Sequence, residues 1–178
     1  MQQRLDWIVK PPEQWCHWEP VRGGMQAHQL LRERYPQAEC TIYEPVARRE
    51  AVAQDKLGSR WWQLSRWKGA AVQMGAPADA SMDMLWANML LHTAADPQTL
   101  IERWHKALKV DGYVMFSCLG PDTVQQLHRL YAELGWGPAG HTFTDMHDWG
   151  YMLVHSGFAE PVMDMARITL TFATPPRL

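Results

Sequence analysis

The region spanning residues 82–121 constrains the fold of this chain more than any other part of its sequence. Two short apolar runs, residues 82–87 and 113–117, each end in turn-forming residues, and this pattern predicts two buried strands. Between them, Asp96 and Pro97 have the pattern of a helix N-cap followed by a first helical residue. The order strand, helix, strand predicts a βαβ unit with parallel strands and a right-handed crossover.

Apolar residues inside this region follow the spacing of an amphipathic helix. They are Leu100, Ile101, Trp104 and Leu108. We predict that this helix ends at Asp111 and Gly112, because glycine commonly follows a helix C-terminus. In open parallel sheets, ligands bind beyond the carboxyl ends of the strands. The binding region predicted from this unit therefore comprises residues 88–92 and 117–122.

Strand and helix patterns on both sides extend this unit into a single α/β domain over residues 1–178. The further predicted strands are residues 14–18, 39–43, 161–165 and 167–172, with 60–67 as a strand or an irregular segment. The further predicted helices are residues 25–35, 47–53, 123–134 with Asp122 as its cap, and 145–156 with Asp145 as its cap and Gly157 at its end. Residues 69–81 have the composition of a loop, and the last two strands are spaced as a hairpin at the sheet edge.

The composition is that of an ordinary globular domain. Of the 178 residues, 47% are hydrophobic and 20% are charged. The net charge is −2 with no run of lysine or arginine, which excludes the electrostatic footprint of a nucleic-acid or anionic-membrane partner. The sequence contains neither a long apolar stretch nor the pattern of a signal peptide. We therefore expect a cytoplasmic protein.

Cysteine and histidine are scattered along the chain. Cys16, Cys40 and Cys118 are odd in number and widely spaced, so they predict reduced core thiols and no disulfide framework. No pair of the eight histidines has a spacing that places two imidazoles on one helix face. We therefore predict no metal site.

The segment that ends at Glu44 has the order of elements that binds a nucleoside cofactor. A predicted strand is followed by a turn with Gly23 and Gly24, a helix, and a second strand that ends in Glu44. Glycines in such a turn let the backbone approach the ligand, and the acid accepts hydrogen bonds from ribose hydroxyls. Val21 stands where an earlier glycine would help, so the pattern is degenerate and by itself a weak signal.

Several segments resemble class I S-adenosylmethionine-dependent methyltransferases, and most closely the malonyl-acyl-carrier-protein O-methyltransferases of biotin synthesis. The similarity extends from about Leu5 to Phe172. Its segments are RLDWIVKPPEQ, RERYPQAECTIYEP, PADASMDMLWANMLLHTAADPQTLIERWHKALKVDGYVMFSCLGPDT, FTDMHDWGYMLVHSGFAEPVMD and ITLTF. The most specific parts are SCLGPDT and TDMHDWGYMLVHSGFAEPVMD.

The resemblance implies both a fold and a reaction. The fold is Rossmann-like, with a mostly parallel seven-stranded sheet, an antiparallel edge hairpin and helices on both faces. The implied cofactor is S-adenosylmethionine, and the implied reaction transfers its methyl group to the free carboxylate of a malonyl thioester on acyl carrier protein. Because a carboxylate is already ionised at pH 7, such a displacement needs orientation rather than a general base.

The resemblance also assigns candidate site residues. The implied cofactor-binding residues are Glu19, Gly23, Gly24, Glu44, Asn88 and Met89. Among them, Glu19 is the acid that follows the first strand and Glu44 is the ribose acid. His92 is the best-placed candidate for a catalytic group, as a positioning or electrostatic residue toward the substrate carboxylate.

Two positions depart from the family pattern and leave two hypotheses open. Val21 lies in the glycine turn, and Ala71 stands where an acid that contacts the adenine amine is expected. The first hypothesis is an active enzyme that holds the cofactor through Glu44 and residues 88–92. The alternative is a catalytically inactive protein of the same fold that does not bind the cofactor and acts as a scaffold or regulatory partner.

An acyl carrier protein is strongly acidic, so a surface that binds it should be basic. The basic residues concentrated in one part of this chain are Arg48, Arg49, Lys56, Arg60, Arg66 and Lys68. We predict that these residues contact the carrier protein if they share a face. Otherwise they form an ordinary solvated surface.

Overall fold

Parallel strands form the sheet at the centre of the computed structural model, which describes residues 1–58 and 71–171. The strands are β1 (Gln14–Trp18), β2 (Glu39–Tyr43), β3 (Val72–Met74), β4 (Met82–Ala87) and β5 (Leu108–Phe116). Their order across the sheet is β3-β2-β1-β4-β5. The direction of winding therefore reverses between β1 and β4, and ligands of open α/β sheets bind beyond the carboxyl ends of the strands at such a point.

Helices connect the strands and follow the sheet. They are α1 (Pro20–Gly23), α2 (Gln26–Arg34), α3 (Ala47–Leu57), α4 (Pro97–Ala107), α5 (Gln125–Glu133) and α6 (Met146–His155), with short 3₁₀ helices at Gln2–Trp7 and Leu91–Thr93. The helices predicted at residues 25–35 and 145–156 are confirmed within one residue at each end. Asp145 caps α6 by accepting from the His147 N–H, and Gly157 follows with a φ of 98°, as predicted.

The sheet has a buried apolar layer on each face, because alternate residues of its strands point to opposite sides. On one face, Trp15 and Trp86 pack with Leu31 of α2 and Ala53 of α3. On the other face, Trp18 and Leu85 pack with Trp104 of α4 and Trp149 of α6. Helices therefore cover both faces of the sheet, as predicted.

The βαβ unit predicted from residues 82–121 is confirmed, with β4 and β5 paired in parallel. Asp96 caps α4 through a hydrogen bond from the Thr99 N–H. The predicted end of the helix is wrong, since α4 ends at Ala107 and β5 begins at once. Leu108 pairs with Met82 at the start of the strand, and an irregularity in the register then accommodates Asp111, whose φ is 65°. The Asp-Gly pair thus marks a bulge in β5 rather than the end of α4.

The third strand lies inside residues 69–81, which were predicted to be a loop. β3 is only three residues long and pairs with β2, whose Cys40 N–H donates to the Ala71 carbonyl. A strand this short is defined by its partner rather than by its own apolar pattern, which is why the sequence did not predict it. The alternative prediction, residues 60–67, lies outside the described residues.

The C-terminal part of the chain departs most from prediction. Within residues 1–58 and 71–171 the sheet has five parallel strands rather than seven, and residues 161–171 form no hairpin; Phe172 lies outside the described residues. Ile168 and Leu170 are 81% and 73% exposed, and no strand of the described residues pairs with this segment. Asp122 does not cap α5, because the helix begins at Gln125 with Val124 at its N-cap; the Asp122 carboxylate pairs with Arg167.

Candidate active site

Two acidic side chains lie side by side at the carboxyl ends of β1 and β2. Trp18 and Tyr43 are register partners in the parallel ladder, so the next residues, Glu19 and Glu44, are brought together. The Glu19 N–H continues the ladder by donating to the Tyr43 carbonyl at 2.8 Å. Both glutamates are buried, at 8% and 6% exposure. Buried carboxylates require partners, and the surrounding residues supply them.

Arg49 bridges the two glutamates from the first turn of α3. Its Nε lies 3.0 Å from the Glu44 Oε2 atom, and its Nη2 lies 2.8 Å from the Glu19 Oε2 atom. The second Glu44 oxygen, Oε1, accepts from the Val21 N–H at 2.8 Å. The Glu44 side chain is fully buried beneath these contacts, whereas the Arg49 side chain remains 27% exposed. The predicted ribose acid is therefore covered by an arginine.

Arg22 lies on the outer side of the same group. Its Nη1 atom is 3.5 Å from the Glu19 Oε2 atom, and its Nη2 atom donates to the Thr93 hydroxyl. Arg22 and Arg49 thus share Glu19 as an acceptor. Two guanidinium groups and two carboxylates balance each other in charge at this edge of the sheet.

The turn after β1 has left-handed backbone at Glu19 rather than at Val21. Glu19 has a φ of 50°, a conformation that favours glycine, while Val21 lies within α1. Gly23 approaches the end of β4 so closely that a Cβ there would lie 2.5 Å from the Asn88 carbonyl oxygen. Gly24 completes the turn with a φ of 102°. Glycine is therefore required at position 23 by the close contact with Asn88, and at position 24 by the backbone conformation.

Asn88 connects the ends of β4 and β5 to the turn after β1 through its side-chain amide. Its Nδ2 donates to the Gly23 carbonyl, and its Oδ1 accepts from the Ser117 hydroxyl at 2.7 Å. The Ser117 oxygen in turn accepts from the Met89 N–H at 3.1 Å, where Met89 has a φ of 51°. This network holds the ends of β4 and β5 against the β1 turn.

His92 lies beside this network, where the chain after β5 passes it. Its Nδ1 accepts from the Leu119 N–H at 3.3 Å, and its ring meets Phe143 edge-on. Burial lowers the pKa of His92, and the charges of Arg22 and His141 lower it further. In the neutral ring, an accepting Nδ1 leaves the proton on Nε2, which is then available as a hydrogen-bond donor.

The position expected for an adenine-binding acid is not at this edge of the sheet. Ala71 precedes β3 and therefore lies at the amino end of that strand, while Gly75 follows its carboxyl end. The Gly75 N–H donates to the Ile42 carbonyl at 3.0 Å. The count that gave Ala71 used the sequence alone, without the position of β3. Residues 75–78, which follow the carboxyl end of β3, contain no aspartate or glutamate.

The predicted basic surface is only partly described. Arg48 and Lys56 are exposed on α3, whereas Arg49 is turned toward the two glutamates. Arg60, Arg66 and Lys68 lie outside the described residues. Arg49 is thus the site residue that sequence reasoning missed. The sequence offered no signal that separates Arg49 from Arg48, because both arginines lie in the first turn of α3.

The described residues contain free thiols rather than a metal-binding cluster. Cys16 and Cys40 are buried and Cys118 is half-buried, and burial raises the pKa of Cys118 to about 11. Across residues 1–58 and 71–171, no three His, Cys, Asp or Glu side chains form a group that could hold a metal ion. The helices of these two ranges include none that is long and apolar enough to cross a membrane.

Curated relatives and solved structures resemble this chain along most of its length. It is 35% identical over 149 residues to a malonyl-acyl-carrier-protein O-methyltransferase of Laribacter hongkongensis, covering 80% of this chain and 50% of that protein. It is 37% identical over 181 residues to the protein of the same name from Gallionella capsiferriformans, covering 97% of this chain and 60% of that protein. The chain thus spans about half the length of these relatives.

The fold is shared with more distant proteins. A SAM-dependent methyltransferase from Thermotoga maritima superposes with a TM-score of 0.59 at 14% identity, covering 89% of this chain and 70% of that one. A family described as methyltransferase domain matches residues 22–116, more than half of the chain. This match includes Gly23, Glu44 and Asn88 and ends at the last residue of β5. The chain therefore belongs to the methyltransferase domain family.

Proposed function

We propose that this protein is an S-adenosylmethionine-dependent O-methyltransferase that acts on the free carboxylate of a malonyl thioester on acyl carrier protein. The observation that carries the proposal is the placement of Glu44 beside the Gly23 turn at the reversal point of the sheet. The names of relatives at 35% and 37% identity support the choice of substrate.

The side chains at the strand ends have the chemistry that the cofactor requires. Glu44 supplies a carboxylate for ribose hydroxyls, and each of its oxygens has one lone pair beyond its present hydrogen bond. Gly23 and Gly24 leave backbone without side chains at the β1 turn, and Asn88 fixes that turn through the Gly23 carbonyl. When bound, S-adenosylmethionine supplies a methyl group activated by its sulfonium.

The chain's own residues contribute orientation to this reaction. The substrate carboxylate is ionised near pH 7, so no side chain has to remove a proton from it. His92, with its proton on Nε2, can donate a hydrogen bond that holds the carboxylate in line. In the neutral state favoured by its lowered pKa, His92 orients the anion without adding a full charge.

The carrier protein would approach the exposed basic residues of α3. Arg48 and Lys56 are exposed there, and acyl carrier protein is acidic. Reversal of both charges, Arg48→Glu with Lys56→Glu, should weaken carrier-protein binding while leaving binding of the free cofactor unchanged. Unchanged carrier-protein affinity in surface plasmon resonance would remove α3 from the docking surface.

Calorimetric titration with S-adenosylmethionine and S-adenosylhomocysteine tests the cofactor part of the proposal. We expect binding that the Glu44→Ala variant loses. Glu39→Ala is the matched control, since Glu39 is the same residue type at the opposite, exposed end of the same strand. Methyl transfer to malonyl-acyl carrier protein, followed by mass spectrometry, then tests the substrate. Equal affinities of the Glu44→Ala and Glu39→Ala variants would contradict the role of Glu44.

A second candidate function depends on the contact between Arg49 and Glu44, which covers the predicted ribose acid. If that cover is permanent, the chain is a protein of the methyltransferase fold that acts through partners instead of a cofactor. Absence of heat with either nucleoside up to millimolar concentration, together with no methyl transfer, would favour this function over the first.

A further inference from the structure

We infer that Arg49 is a gate over Glu44, which must leave that carboxylate before a ribose can bind, and that it thereby sets the affinity of the site for nucleoside ligands. The inference rests on the proposed cofactor function and names the residue that limits it. Its basis is the contact of Arg49 with both Glu19 and Glu44 at the carboxyl ends of β1 and β2.

The first step concerns access to the acid. The Glu44 side chain is fully buried, although its oxygens each retain unused acceptor capacity. A ribose hydroxyl must lie within hydrogen-bond distance of those oxygens to be recognised. One of the present partners, the Val21 N–H, belongs to the backbone of α1 and is fixed. The other partner, the Arg49 guanidinium, is on a flexible side chain and is therefore the group that can move.

The second step concerns the position of Arg49 in the cluster. Its side chain is 27% exposed while that of Glu19 is 10% exposed and that of Glu44 is fully buried, so the guanidinium is the outermost of the three groups. Rotation about its side-chain bonds moves the guanidinium into solvent, where it can be hydrated. Glu44 would then face the space it vacates.

The third step concerns what remains when Arg49 moves. Glu19 keeps a positively charged neighbour, because the Arg22 Nη1 atom is 3.5 Å from the same Oε2 atom. Glu44 keeps its hydrogen bond from Val21 and gains the ribose hydroxyls. Arg49 itself lies in the first turn of α3, where the helix dipole disfavours a cation, and among the described residues its ion pairs are with Glu19 and Glu44. Opening the gate therefore leaves no buried carboxylate without a partner.

Calorimetric titration of S-adenosylhomocysteine into the wild-type protein and the Arg49→Met variant tests the gate. Methionine retains an apolar stem of similar length and removes the guanidinium. We expect Arg49→Met to bind about tenfold more tightly or better, which corresponds to about 1.4 kcal/mol. Arg48→Met is the matched control, since Arg48 is the adjacent, exposed arginine of the same helix and the carrier protein is absent from the titration. Its affinity should equal that of the wild type.

A second variant separates gating from folding. Arg49→Lys keeps the positive charge but cannot bridge two carboxylates with a planar fork, so its affinity should lie between those of the wild type and Arg49→Met. Thermal unfolding by circular dichroism, without and with ligand, shows whether each variant is folded and whether the ligand stabilises it. If Arg49→Met does not fold, the Arg49→Lys comparison alone decides, and an affinity no higher than wild type overturns the gate.

The outcomes distinguish the gate from the proposed function. Binding by the wild type that is equal or weaker in Arg49→Met overturns the gate and leaves the cofactor function standing. Binding by Arg49→Met alone supports the gate and shows that the natural chain holds its site closed to free cofactor. Absence of binding by both proteins overturns the gate and the cofactor function together.

Discussion

A pair of buried imidazoles should make this protein unstable in mild acid. His17 of β1 and His28 of α2 are stacked with their Nδ1 atoms 3.5 Å apart, and they are 0% and 3% exposed. Burial lowers the pKa of His17 to about 3, and the charge of His28 contributes to this shift. Burial also lowers the pKa of His28 to about 4, with a contribution from Arg32. Both rings therefore stay largely neutral at pH 5 in the folded protein.

The sign and size of the effect follow from proton linkage. An unfolded histidine has a pKa near 6.5, so below that pH the unfolded chain binds more protons than the folded protein. The stabilisation is complete above pH 6.5 and is lost as the pH falls toward the two folded values. Between about pH 7 and pH 5, each imidazole should cost roughly 2 kcal/mol of unfolding free energy, or roughly 4 kcal/mol together. This is a large part of the roughly 5–15 kcal/mol that stabilises an ordinary domain.

The assay is urea unfolding at pH 7, 6 and 5, followed by circular dichroism, on the wild type and the His28→Leu variant. The variant lacks one of the two imidazoles, so its unfolding free energy should fall by roughly 2 kcal/mol less than that of the wild type over this range. His155→Leu, which removes an exposed histidine of α6, is the control and should retain the acid sensitivity of the wild type. Equal losses in wild type and His28→Leu would refute the assignment of the acid sensitivity to this pair.

Two further substitutions test the site and the core. Gly23→Ala places a Cβ 2.5 Å from the Asn88 carbonyl oxygen and should weaken S-adenosylhomocysteine binding by about tenfold or more in calorimetry. Gly150→Ala is the control and should leave the affinity unchanged, because its Cβ would have no neighbour within 4 Å. Equal affinities of the two variants would contradict the close approach of Gly23 to Asn88. Trp104→Ala removes a fully buried side chain and should lower the unfolding free energy by about 3–5 kcal/mol in urea titration, whereas Trp136→Ala, at a position 64% exposed, should change it by less than about 1 kcal/mol. Similar losses for the two tryptophans would contradict the packing of α4 described above.

Local patterns in the sequence were sufficient for most elements around the site. Apolar runs predicted β1, β2 and β4 at their observed bounds, and Asp96 with Pro97 predicted the start of α4. These signals depend on hydrogen bonds and packing within a few residues, so they can be recognised without knowledge of the tertiary structure. The order of elements was in turn sufficient to predict a parallel sheet with its site at the carboxyl edge.

Elements that depend on pairing with a distant segment of the chain could not be predicted from the sequence. β3 exists because β2 offers an edge to it. Residues 161–171 have the alternation of a strand, but they pair with no strand in the described parts of the chain, 1–58 and 71–171. The early end of α4 has the same origin, since Leu108 pairs with Met82 of the neighbouring strand. Pairing of this kind is a tertiary interaction, and it overrides local propensity.

The sequence by itself determined the α/β fold class, the family and the position of Glu44 at the end of β2, because each depends on residue order and spacing. Only the tertiary structure decided what Glu44 contacts. The register of β1 with β2 sets Glu19 beside Glu44, and the packing of α3 brings Arg49 across both carboxylates. Buried charges select partners by proximity in space, so the residue that covers this site could be identified only after the strands and helices were placed.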